Sequence, residues 1–241
     1  MRTPLDRRRR QNGASLVEFV IVFPVAVLFV LSLVQVGFIY MAKLTLNHAT
    51  FTAARVGSLH NADTKVIREA LLRGLIPFYQ DSLTSDDAKR LLEASLDAHI
   101  DNSSTPLTPW AAQIDRLSPN PDTFADFGVK DPSTGKVYIP NDNLEWRSLS
   151  VGAKSKVHIR DANLLKIRVT YGYEMRIPLI GGVIKRMMCG GTIGPEAFGN
   201  VSVLESLYGI SHFDLCVRYF MHNRIPIESM AIVEMQSPAY K

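Results

Sequence analysis

Glu18 is the only charged residue between Ala14 and Ala42, and a carboxylate in so apolar a run needs a reason. An ionisable group inside a membrane segment costs on the order of several kcal/mol unless it is paired, protonated or able to reach the interface. The chain offers one cationic partner directly, the cluster Arg7–Arg10, reached by snorkelling.

Other residue types that could do chemistry are scattered. Cys189 and Cys216 lack the paired spacing of a zinc site, but could form one bridge in an oxidising compartment. The six histidines, at 48, 60, 99, 158, 212 and 222, form no H-x-x-x-H pair. Asp122, Asp126, Asp131 and Asp142 do not fit the spacing of a calcium loop, and read as solvated turn residues. "DFG" at Asp126–Gly128 and "HIRD" at His158–Asp161 stand in the reverse of kinase order, with no glycine-rich loop and lysine ahead of them. "GGTIG" at Gly190–Gly194 has no P-loop lysine, and there is no G-x-S-x-G elbow. The expectation is no catalytic residue, metal or cofactor, and no evident small-molecule substrate.

Ala14 to Ala42 exceeds the roughly 20 apolar residues that cross a bilayer as a helix. It is also about twice the apolar core of a cleavable secretory signal, usually about 7–15 residues. Arg7–Arg10 precede the run, and Lys43 alone follows it until Arg55, so the positive-inside bias puts the N-terminus in the cytoplasm. Everything after the span then lies in the periplasm or outside. Pro24 within the run reads as a tolerated kink.

The formal net charge is +4, from 27 Lys+Arg and 23 Asp+Glu. Met1 to Gly13 holds five arginines and one aspartate, which already gives +4, so the remainder sums to zero. With no net field on the body of the chain, nucleic-acid binding is not expected.

Gly13 followed by "ASLVEF", with basic residues before the glycine and a glutamate fifth after it, resembles the class III signal of type IV pilin-like proteins. The whole opening from Gln11 to Leu59 resembles TadE-like minor pseudopilins of tight-adherence (Flp) pilus systems. So do "LLKIRVTYGYEMRIPLIG" (Leu164–Gly181) and "RIPIESMAIVEMQSPA" (Arg224–Ala239). The resemblance implies a leader, residues 1–13, cut between Gly13 and Ala14 by a prepilin peptidase. It implies that Glu18 then faces the new amine of Ala14, its own or a neighbour's. The implied partners are that peptidase, other pseudopilins, the pilus assembly platform and the lipid bilayer of a bacterial inner membrane. Left uncut, the same residues describe a single-pass anchor with a periplasmic binding or adhesin head. A third reading is a membrane-anchored enzyme.

The elements that must position these groups follow from periodicity. After a span over 14–42, apolar and small residues continue at Leu44, Leu46, Ala49, Ala53, Ala54 and Val56, predicting a stalk helix to about Leu59. Asp63 is placed to cap a helix through "TKVIREALLRGL", and Ser85 to open "DDAKRLLEASLDAHI". Asn102 to Pro109 reads as a loop and "WAAQIDRL" (Trp110–Leu117) as a short helix. "KVYI" (Lys136–Ile139), Leu164–Ile177 and Ser229–Ser237 read as strands. Helices first and strands later predict an α+β head over 60–241 with an antiparallel sheet. In this topology Cys189 and Cys216 lie beyond the membrane, where a bridge between them is expected.

Overall fold

The computed structural model describes residues 14–80, 86–103, 105, 108–189 and 212–241. Its dominant element is one helix, α1, Ala14–Leu59. At 1.5 Å per residue it is roughly 69 Å long. Two short helices follow: α2, Thr64–Leu75, and α3, Asp87–Asp101. The remainder runs β1 (Gln113–Ser118), α4 (Pro121–Phe127), β2 (Val129–Lys130), β3 (Val137–Ile139), α5 (Ile159–Ala162), β4 (Leu164–Glu174), α6 (Pro178–Cys189), α7 (His212–Arg218), β5 (Arg224–Glu234) and β6 (Ala239–Tyr240). The fold is α+β, with a long apolar helix leading into a head of helices and antiparallel sheets.

The main sheet is antiparallel in the order β1-β4-β5, and a smaller one has the order β2-β3-β6. On β4 the alternate residues Leu165, Ile167, Val169, Tyr171 and Tyr173 are buried, as period-2 side-chain geometry requires. They are matched across the pair by Val233, Ala231, Ser229, Ile227 and Ile225. The β5 members of this face are small at Ser229 and Ala231, and α1 lies along both strands.

Lengths agree. Eleven residues of β4 and the helix from Gln35 to Ser58 each extend about 34 Å. The sheet therefore meets only the upper half of α1. Along that half the buried positions are Gln35, Ala42, Leu46, Ala49, Thr50, Ala53, Ala54 and Ser58, mostly small and in helical period. Small side chains let the backbones approach. A Cβ on Gly74 of α2 would lie 2.6 Å from Ala49 Cβ and 2.8 Å from its Cα, and one on Gly57 would lie 2.5 Å from Ile67 Cγ1. Leu46, Ile67, Leu71, Leu75, Leu165 and Ile167 fill the space around this seam, all fully buried. Each such side chain contributes roughly 1.5–3 kcal/mol by leaving water.

The top of α1 is closed by the chain's last residues. Ser58 O accepts from Gln236 N (3.1 Å), Ser237 N (3.0 Å) and Ser237 Oγ (2.9 Å), which satisfies a carbonyl that a helix end leaves unpaired. Asn61 and Ala62, both at positive φ, then turn the chain into α2. Asp63 caps α2 as expected, its side chain accepting from Lys65 N.

Three local expectations change. Trp110–Leu117 is not a helix: its second half is β1, drawn into the sheet by pairing with β4 from Gln113↔Thr170 to Ser118↔Lys166. Edge hydrogen bonds from β4 outweigh the local helical tendency. The cap of α3 is Asp86, accepting from Ala88 N and Lys89 N, while Ser85 lies outside the described residues. Helices α6 and α7 had no counterpart in the sequence reading.

The seam makes a specific prediction. Gly74→Ala gains up to about 1 kcal/mol of helix propensity. It also pushes a methyl into Ala49 backbone, an overpacking that typically costs about 1–3 kcal/mol. Chemical unfolding of the full chain in detergent should show a net loss of stability. Gly182→Ala, with nothing within 4 Å of the added carbon, should be neutral or stabilising.

Candidate assembly surface

Below Gln35 the helix touches no other part of the head along most of its length, and its side chains change type. From Phe19 to Val34 large apolar residues stand exposed on every face, among them Phe19, Phe23, Phe29 and Leu33. Phe19 and Phe23, one turn apart, stack with ring centroids 5.1 Å apart. Hydroxyls on α1 are turned inward: Ser32, Thr45, Thr50 and Thr52 each donate to the carbonyl four residues back. A helix apolar all round is suited to lipid or to packing among other apolar helices. Among the described residues α1 alone is long and apolar enough to cross a membrane.

Glu18 sits exposed near the foot of this surface. Among the described residues no cation lies within ion-pair distance of it. Ala14 is one helical turn below, a rise of about 6 Å, on the same face. Gly13 and the leader arginines lie outside the described residues.

Gln35 marks the change of surroundings. It is 1% exposed, and its Oε1 accepts from Ile177 N at 3.0 Å. One polar side chain thus ties the exit point of the apolar segment to the residue that precedes α6. Further up, Lys43 Nζ donates to Glu228 O on β5.

The lower end of the sheet holds a polar knot that sequence reading missed. Asp101 Oδ1 accepts from Trp110 Nε1 (2.6 Å) and Arg224 (3.1 Å), and Oδ2 accepts from Tyr79 OH (2.7 Å). Tyr79 OH also meets Tyr171 OH at 3.1 Å and accepts from Asn102 Nδ2 at 3.0 Å. The Arg224 guanidinium donates to Gly172 O and lies 4.7 Å over the Trp110 ring. The ion pair is nearly enclosed, its side chains 12% and 17% exposed. These residues come from separate segments between Tyr79 and Arg224, and no spacing in the sequence announces their meeting. Burial pushes the Tyr79 phenol well above its ordinary range, and the neighbouring Tyr171 adds to this. Burial likewise pushes Tyr171 up to about 12, against the opposing effects of Tyr79 and Arg224. The carboxylate, guanidinium and phenols bond to one another, and the arrangement fastens α3, β4 and β5 together.

Cys189, at the end of α6, and Cys216, in α7, are joined in a disulfide with Cα atoms 5.8 Å apart. Closing a loop of 27 residues removes roughly 3.5 kcal/mol worth of unfolded-chain entropy. The bridge borders a small second core of Leu215, Tyr219 and Phe220.

Three of the four aspartates named above as possible calcium ligands are engaged by protein groups. Asp126 accepts from Ser155 N and Oγ, Asp131 from Ser133 and Thr134, and Asp142 from Arg147. Among the described residues no group of three or more His, Cys, Asp or Glu is placed to hold a metal ion.

Residues 13–55 match the family model for TadE-like protein. Over this helix the chain is similar to TadE-like proteins. The match covers nearly all of α1 and stops before the head. Comparisons with curated proteins and with solved structures find no match. The match does not reach Leu164–Gly181 or Arg224–Ala239, which contain β4 and β5, the two strands on which the matched helix rests.

Replacing Arg224 with Ala should lower stability by about 2–4 kcal/mol, because it strands a mostly buried carboxylate. The tyrosines set a sign with pH. Both are raised in the fold, so their contribution is complete below pH 10.0, the ordinary value; that of Tyr171 is lost as pH rises through about 12, and that of Tyr79, raised further, is lost at still higher pH. Unfolding titrations from about pH 9 upward should show this loss, and Tyr79→Phe with Tyr171→Phe should flatten it.

Proposed function

We propose that this protein is a minor pseudopilin of the TadE kind, a non-catalytic, membrane-anchored component of tight-adherence pilus assembly. The observation that carries the reading is the TadE-like match over residues 13–55, which falls on a helix apolar on every face below Gln35. In this reading the peptide bond after Gly13 is cut by a prepilin peptidase, the N-terminus is cytoplasmic and the head is periplasmic.

Cleavage there removes all five N-terminal arginines and leaves an α-amino group on Ala14. Glu18, one turn away, then has a cation to meet in low dielectric, where an opposite charge matters most. If the amine belongs to a neighbouring subunit, the pair fixes the axial register between two apolar helices that would otherwise slide freely. Lateral packing of Phe19 to Val34 against other pseudopilins and the assembly platform supplies contact area, and Glu18 supplies register. The knot at Asp101 and the disulfide keep the head rigid on its stalk.

The test separates this role from that of a plain uncut anchor. Glu18→Val removes the one costly group of the span, so an anchor should insert at least as well as before. A pseudopilin carrying it should still be inserted and processed, but should fail to enter or prime the pilus assembly, read by surface piliation. Piliation at the original level in the Glu18→Val strain would contradict the proposed pairing.

A further inference from the structure

At the lower end of the head, apolar side chains stand exposed on α6, in α7 and just after it. Leu179 and Val183, four residues apart on one face of α6, are 64% and 47% exposed, and Val217 in α7 and Met221 just after it, elements that contact α6, are exposed too. The opposite face is seated: Ile180 is buried, Gly181 lies against Asn223, and Ile184 packs on the Leu215–Phe220 core. The exposed side chains are therefore held out by a rigid support that includes the Cys189–Cys216 bridge.

Position and charge say what covers this face. The apolar run reaches Ala42, but Ala42 is buried in the core of the head, and the roughly 20 residues a bilayer needs, counted up the helix from Ala14 or from Glu18, end between Leu33 and Gly37. Gln35 lies in the middle of that interval, and it holds the backbone of Ile177, the residue before α6. The helix therefore starts where α1 leaves the bilayer, and it packs on α1 there. From Met175 to Cys189 the chain carries Arg176, Lys185 and Arg186 and no acidic residue. Exposed leucine and valine with lysine and arginine at their border, at the depth of the headgroups, is the pattern of an interfacial helix.

We propose that α6 rests on the outer headgroup layer of the bilayer through Leu179 and Val183, with Lys185 and Arg186 on anionic lipid phosphates. The inference rests on α1 spanning the membrane and adds a second contact to it. One helix alone leaves the head free to spin and tilt about the exit point; a second foot beside it fixes which face of the head points away from the surface. Orientation set in this way would present the head uniformly to neighbouring subunits.

The full chain is reconstituted in vesicles of phosphatidylethanolamine and phosphatidylglycerol, and an environment-sensitive fluorophore is attached to Val183→Cys, Leu179→Cys, Phe29→Cys or Leu149→Cys with the native disulfide intact. Doxyl labels near the headgroup should cause a several-fold loss of emission at Val183 and Leu179, doxyl labels at the chain end should do so at Phe29, and neither should affect Leu149. Lys185→Gln with Arg186→Gln should reduce quenching at Val183 several-fold. Quenching at Phe29 without quenching at Val183 and Leu179 overturns the proposal and leaves the anchor intact. Absence of quenching at Phe29 overturns the anchor, and this inference with it. Protection of Val183 that grows with protein density and not with doxyl lipid assigns the face to a second copy and also overturns it.

Discussion

One unbroken helix has to satisfy two solvents. Below Gln35 α1 presents large apolar side chains to all sides, and above it alanine, glycine and serine let a sheet and a second helix close to backbone distance. That small-residue seam is the constraint on which the rest depends. It matches the sheet's length to the helix, puts Gly74 against Ala49, and faces a β5 that is small at Ser229 and Ala231. A larger residue at Ala49 or Gly74 would press on the facing helix at backbone distance. Because the helix is continuous, whatever holds its lower half in place positions the whole head.

The strongest fastenings gather at the end of the head near Gln35. The Asp101–Arg224 knot, the Cys189–Cys216 bridge and the hydrogen bond from Ile177 to Gln35 all lie there. The far end is held by loops instead, with Asp126 gripping Ser155 and Arg160 gripping the carbonyls of Leu144 and Glu145. On the proposed function, the rigid end is the one that meets the membrane and neighbouring stalks.

Much of this was legible in the residues because it is local. The apolar run, the helix end near Leu59, the Asp63 cap and the alternation on β4 are each written in a few consecutive side chains. Glu18 stood out for the same reason, as one charge in an apolar background. What stayed hidden was non-local. Segment β1 is a strand because β4 offers it a partner, and its own residues "QIDRLS" do not alternate clearly. Tyr79, Asp101, Trp110, Tyr171 and Arg224 look like unrelated surface residues until the chain folds them together. Gln35 becomes the junction between stalk and head only when Ile177 is placed beside it.

Everything proposed for the lower half of α1 depends on whether Glu18 is given an amine to meet. The intact mass of the protein purified from cells with an active prepilin peptidase tests this most directly. The predicted result is a chain beginning at Ala14, with Glu18 fifth. A chain that still carries Arg7–Arg10 would contradict it.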